Sequence, residues 1–437
     1  MGGIEFAVAI IAVLLILILL SVPIVLALGA ASFFGLAYLV GNFDVAVSLL
    51  ANTAYESIRS YIFAVIPLFV LMGELISKSG AAKDLYVLIN NSLKKLPGRL
   101  SLATVIGNAV FGAVTGVSIA SAAAFSRIAY PEMVSQKYNK TVALGSIAGS
   151  ASLGMLIPPS ILLIVWGVIA EISIGKLFVA GVIPGILLAL MFAVFIVIYA
   201  LFKPDLFGEN KKDDEVKYVS TKTEIIGATG VIILIFVVLG GIWFGVFTPT
   251  ESAGIGALFA LILAIIKKTS WSDIGNAVLE TGKISAPILF LLIAAQMYAR
   301  LLAMGGISEV VQSFFTIFGN DFYTVLIIMV LTWFILGMFV DSVSIILLTV
   351  PLFTPIAGTL GYDPIAFAII GIVAIEAGLL TPPLGLCVYT VKGSISDPDA
   401  TLGKIFLGSI PYWIILIILV FLIAFFPSIA TWLPSKM

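Results

Sequence analysis

The chain has 437 residues, 61% of them hydrophobic and only 10% charged, with a mean hydropathy of +1.23. A water-facing globule carries about 25% charged residues, so a soluble domain is excluded. The net charge of −1 offers no basic face to nucleic acid. With no histidine and a lone Cys387, the chain lacks a Cys/His zinc site, an internal disulfide and the commonest general base. It also has no Gly-x-x-x-x-Gly-Lys-Ser/Thr phosphate loop, so it is not expected to consume ATP itself.

A bilayer-crossing helix needs roughly 20 apolar residues. Runs of that kind fall at 4–20, 22–41 and 61–78, with amphipathic pieces at 44–58 and 81–96. The first run lacks the basic start and small-residue cleavage pattern of a secretory signal, so it reads as a span. Residues 100–130 are too long for one span and too short for two, and the middle, Phe111 to Ala120, holds Gly112, Thr115, Gly116 and Ser118. A re-entrant hairpin that enters and leaves on one side fits that pattern. Spans at 141–172 and 177–202 follow, the first interrupted by Pro158 and Pro159. Residues 203–223 are polar and read as a solvated linker. The second half gives spans at 224–247, 251–267, 284–303, 364–391 and 404–430, with amphipathic pieces at 270–282 and 307–318. Its own interrupted run, 322–358, carries Asp341 near the middle, and Pro382 and Pro383 break 364–391. Trp166, Trp243, Trp271 and Trp333 are expected to anchor helices at the bilayer interface.

The halves match at a nearly constant offset. Pro23 pairs with Pro249, Gly80 with Gly306, and the Pro158–Pro159 break with Pro382–Pro383; Gly175-Lys176 pairs with Gly403-Lys404, and Pro184 with Pro411. By the span count the second half starts on the opposite side, so the repeats are inverted, a pattern common in secondary transporters. Most lysines and arginines fall on one side if both termini lie outside; only Arg59, Lys176, Arg300 and Lys436 oppose that bias. This predicts periplasmic N- and C-termini.

Two hairpins and two proline breaks bring irregular backbone to membrane depth, tolerated only where protein or a polar cavity covers it. Proline removes a donor and frees carbonyls. Half-helix C-termini suit a cation and N-termini an anion. Asp341 in mid-run is costly unless it is paired or lines an ion path.

The segments Ile157–Ser160, Glu171–Phe178, Ala180-Gly181 and Pro184-Gly185, with Glu376–Gly385 in the second half, resemble the large membrane subunit of TRAP transporters, the DctM-like family. The resemblance covers essentially the whole chain. It implies an all-α polytopic membrane protein with about ten transmembrane helices and two re-entrant hairpins in two inverted repeats, not an enzyme. It further implies an elevator: scaffold helices and arms at 1–99 and 224–320, transport-domain halves at 100–202 and 321–437, and a cytoplasmic linker at 203–223. Coupling to Na+ is implied, with one ion site joining Thr115, Gly116 and Ser118 to Gly154–Pro158. A second would join Asp341, Ser342 and Gly337 to Gly378 and Thr381. The substrate, an organic acid such as a C4-dicarboxylate, sialic acid or another sugar acid, would lie between the tips, near Ser118, Pro158, Ser160, Ser342, Pro382 and Gly385. The implied partners are a small four-helix membrane subunit, expected as a separate chain, and a periplasmic substrate-binding protein. The implied location is the bacterial inner membrane. A sodium/dicarboxylate symporter of the same fold that needs no binding protein is the alternative.

Overall fold

The computed structural model describes residues 3–208, 221–317 and 321–437. The core of the expected linker, with Lys211, Lys212, Asp213, Asp214 and Glu215, lies outside the described residues, as does the end of the 307–318 piece. The described residues are helical, with one isolated backbone bridge, Tyr138 to Phe207.

Among the described residues seven helices are long and apolar enough to cross a bilayer, and eight if the pair bent by 41° between Leu156 and Ile161 counts as one span. The first two expected spans form the shorter helices Ile4–Leu19 and Ile24–Val40, and the 364–391 run divides into Pro364–Gly378 and Leu386–Ser394. In the first half the candidate crossings are Tyr61–Lys78, the broken helix Lys140 to Ile169 and Ile174–Phe202, preceded by the shorter apolar helices Ile4–Leu19 and Ile24–Val40. If the two shorter helices also cross, the count is odd and Lys222–Trp243 would start the second half on the other side, as inverted repeats require.

Packing repeats under the same exchange of halves. Val65–Lys78 lies on Pro249–Ile266, and Ile24–Val40 on Trp271–Gly305. Lys140–Ala151 packs on Leu402–Phe425, as Pro364–Gly378 does on Ile174–Phe202. The hairpins follow suit: Arg99–Thr115 lies on Lys140–Ala151, and Phe322–Gly337 on Pro364–Gly378. Where these helices come closest the residues are small, as expected when lipid supplies no hydrophobic drive between helices. Gly145 meets the Gly408 backbone so closely that neither position has room for a methyl group.

Two expectations need correction. The amphipathic piece 270–282 and the span 284–303 form one 35-residue helix, Trp271–Gly305. Asn276, Gly282 and Lys283 interrupt the apolar pattern there, but none of them blocks helix propagation. In the first half the same joint is open, because Ser60 is extended (φ −67°, ψ 122°) after the arm Phe43–Arg59. The second correction concerns tryptophan. Trp271 and Trp243 are exposed, but Trp166 and Trp333 are fully buried. Their rings meet edge to face at 5.6 Å, Phe367 packs on both, and Trp333 Nε1 donates to Thr349 Oγ1 at 2.8 Å. The space for the Trp166 ring exists because Gly371 has no side chain.

Candidate functional site

The first hairpin turns where Gly116 ends Arg99–Thr115 in the left-handed region (φ 65°) and Val117 is extended (φ −138°) before Ser118–Ser135 begins. The return arm runs past the expected 130. The second hairpin turns between Phe322–Gly337 and Ser342–Thr359. That return arm could cross a bilayer by length and hydropathy, yet here it folds back and packs on its own outgoing arm.

Each tip is tied by backbone to the far side of a proline break. The Gly116 carbonyl accepts from Ile161 N–H at 3.2 Å. The Met338 carbonyl accepts from Leu384 and Gly385 N–H at 3.2 and 3.4 Å. Both breaks contain a cis bond, Pro158–Pro159 and Pro382–Pro383. Below each tie glycine meets glycine. A methyl group on Gly112 would overlap Gly154 Cα, and one on Gly337 would lie 2.8 Å from Gly378 Cα. Sequence reasoning placed Gly154, Gly337 and Gly378 at the sites and Gly112 only in the interrupted run; the repeat offset from Gly337 points to its matching role.

The expected ligands gather at these two junctions. Thr115, Ser118, Ser160, Ser342 and Thr381 are all buried. Thr115 Oγ1 donates to Phe111 O (3.2 Å), Thr381 Oγ1 to Gly378 O (2.7 Å) and Ser160 Oγ to Met155 O (2.5 Å). These protons are used locally, which leaves oxygen lone pairs for a cation. Ser118 Oγ has no hydrogen-bond partner among the described residues. Asp341 is half-buried and caps the return arm, Oδ1 accepting from Ser344 N–H at 3.0 Å. Its counterpart at the first tip, Val117, has no capping side chain. Among the described residues no cluster of three or more Cys, Asp or Glu could hold a metal. Hydroxyls and carbonyls suit a weakly held monovalent ion better than a transition metal.

The two junctions are unequally covered. Pro158, Pro159 and Ser160 are buried, whereas Pro382, Pro383 and Leu384 are exposed, as is Phe339 at the second tip. Gly385 is buried in the left-handed region (φ 57°), and Phe406 and the Thr381 carbonyl fill the space a side chain would need.

At one end of this unit a polar knot joins the halves. Lys140 Nζ lies 2.7 Å from Asp397 and 2.9 Å from Asp399, and Tyr130 OH donates to Asp397 at 2.8 Å. The Lys140 ammonium and the Tyr130 hydroxyl hold the Asp397 carboxyl down to about 2. The first hairpin, the first broken helix and the loop after the second are thereby fastened together.

Two interlocked repeats, each with a re-entrant hairpin docked on a broken helix, define a polytopic membrane transporter. The profile of the family described as "Tripartite ATP-independent periplasmic transporter, DctM component" matches residues 11–429, and the chain belongs to that family. It is 32% identical over 394 residues to the C4-dicarboxylate TRAP transporter large permease protein DctM of Pseudomonas aeruginosa, covering 89% of this chain and 90% of that protein. It is 28% identical over 407 residues to the sialic acid TRAP transporter large permease protein SiaM of Vibrio cholerae, covering 92% and 93%. Among solved structures the Alcanivorax borkumensis YdaH transporter shares the fold, with a TM-score of 0.63 at 14% identity over 90% of this chain and 89% of that one. The chain is thus a multi-pass transporter permease and not an enzyme. Its family works as one component of a tripartite system, which implies a small membrane subunit and a periplasmic binding protein in general.

Proposed function

We propose that this permease imports an organic acid across a bacterial inner membrane, driven by Na+ and delivered to it by a periplasmic binding protein. The observation that carries the reading is the pair of equivalent junctions where a hairpin tip meets a proline break. Each gathers hydroxyl and carbonyl oxygens without a fixed positive charge, the donor set that replaces a sodium hydration shell. The first ion site joins Thr115, Gly116 and Ser118 to Gly154–Pro158. The second joins Gly337, Asp341 and Ser342 to Gly378 and Thr381. The carboxylate substrate lies between the tips, against Ser118, Pro158, Ser160, Ser342, Pro382 and Gly385, entering past the more exposed second junction. Each ion moving inward yields about 2.3 kcal/mol per 100 mV. Sodium and substrate raise each other's affinity by one factor. Both termini of the 437-residue sequence face the periplasm, and a small four-helix membrane subunit completes the complex.

The test is uptake of a labelled carboxylate by proteoliposomes holding both membrane subunits. An inward sodium gradient together with the binding protein drives accumulation. Equal uptake under a potassium gradient would remove sodium coupling, and full uptake without the binding protein would favour the simpler symporter.

The elevator reading requires 100–202 and 321–437 to slide past 1–99 and 224–320. Gly73, on the scaffold helix Val65–Lys78, supports this. A methyl group there would sit 2.9 Å from Thr115 Cα at the first tip. Gly73→Val therefore lowers the transport rate about tenfold or more through overpacking of about 1–3 kcal/mol, with normal membrane insertion. A wild-type rate in the same liposomes would show that this contact does not move.

A further inference from the structure

The repeat symmetry fails at one buried position. Glu376, two residues before Gly378, is 1% exposed. Its counterpart before Gly154 is Ser152, whose hydroxyl turns back to Gly149 O in its own helix at 2.7 Å. The Glu376 carboxyl instead reaches out of its helix. Oε1 accepts from Ser342 Oγ at 2.9 Å. Oε2 has no hydrogen-bond partner among the described residues, and neither has Ser118 Oγ. Ser118 faces this same carboxyl and the buried Cys387 beside it. Ser342 and Ser118 are the first residues of the two return arms, so they occupy equivalent places in the repeats.

We propose that Glu376 is a positioning residue that ties the two hairpin tips to each other, with Ser342 on one carboxyl oxygen and Ser118 on the other. Oε2 and Ser118 Oγ are both buried and unpaired among the described residues, and Ser118 neighbours this carboxyl; a buried polar group left unpaired is costly. A Ser118 hydroxyl turned toward Oε2 pairs both atoms at once. Glu376 itself lies outside the proposed ion ligands, but the tie runs through one ligand of each site, Ser342 and Ser118. Ordering one tip therefore fixes the carboxyl and helps to order the other. The consequence for transport rests on the sodium-coupled reading above; the tie itself does not.

The test is hydrogen exchange on the detergent-solubilised full chain without sodium, followed at 115–119 and 337–342. Glu376→Ala accelerates exchange at both tips by about tenfold as the local opening cost falls. Glu376→Gln restores protection, because its amide keeps an acceptor for Ser342 and offers Ser118 a donor. Ser342→Ala, which never touches the first tip, also accelerates exchange at 115–119; this variant carries the test if Glu376→Ala does not fold. A loss in Glu376→Gln as large as in the alanine variant, or an unchanged first tip in Ser342→Ala, overturns the proposal. In the proteoliposome assay, sodium dependence of wild-type uptake becomes less steep in Glu376→Ala and stays steep in Glu376→Gln. Wild-type uptake indifferent to sodium would sink the coupling reading and leave the exchange result standing.

Discussion

Gly378→Ala yields a protein that inserts normally and transports about ten- to a hundredfold more slowly. The added methyl group would lie 2.7 Å from Gly337 Cα and would run into the Phe334 carbonyl oxygen. Both obstacles are main chain, so no side chain can swing aside. Overpacking of this kind costs about 1–3 kcal/mol, and here the cost falls on the docked state of the second hairpin. The outgoing arm lifts, Met338 O loses its bonds to Leu384 and Gly385, and the proposed second ion site opens. Gly112→Ala should act alike at the first junction, where Gly154 is the obstacle. Gly393→Ala is the control, since nothing lies within 4 Å of a methyl group there. The measurement is the initial uptake rate per reconstituted protein. Near-normal rates in Gly378→Ala would show that tight docking of tip on broken helix is not needed for transport.

Asp341→Asn and Asp341→Ala separate two roles that one residue combines. The carboxylate caps Ser342–Thr359 through Ser344 N–H, and this alone could explain an acidic residue in an apolar run. Asparagine caps about as well as aspartate, whereas alanine loses about 1 kcal/mol. If Asp341 also holds sodium, Asp341→Asn keeps its thermal midpoint in detergent yet needs roughly tenfold more sodium for half-maximal uptake, as expected from losing a charge-assisted contact. Asp341→Ala is then both less stable and poorly coupled. A purely structural aspartate gives the opposite pattern: a normal sodium requirement in Asp341→Asn, and a defect in Asp341→Ala confined to stability.

What could be read in advance depended on features that act locally. Proline lacks an N–H wherever it sits, so the two Pro-Pro pairs announced their breaks. Gly116 and Gly385 stand where left-handed backbone is required. The repeat offset made each observation count twice, which is why the broken helices and hairpins emerge with the expected partners. Properties set by distant contacts stayed hidden. The Trp166 and Trp333 rings are buried because Gly371, on another helix, makes room. Gly112 is just another small residue until Gly154 is placed against it. Glu376 could be noticed as a buried acid near a break, but not as a neighbour of Ser118, far earlier in the chain. The continuity of Trp271–Gly305 escaped because polar residues look like the end of a span even when the helix runs on through them.

That continuous helix and its interrupted counterpart make the scaffold mechanically lopsided. Thirty-five residues at 1.5 Å each form a girder about 52 Å long, whereas the hydrocarbon layer is only about 30 Å thick. Packed against it, the first half's arm and span meet at Ser60 like two rods at an elbow. A load from a shifting inner unit would bend the elbow first, because the girder keeps its hydrogen-bond ladder except for the donor missing at Pro287. Compliance in this frame is therefore greater in the first half, and two halves built to a common plan would yield unequally to the same push.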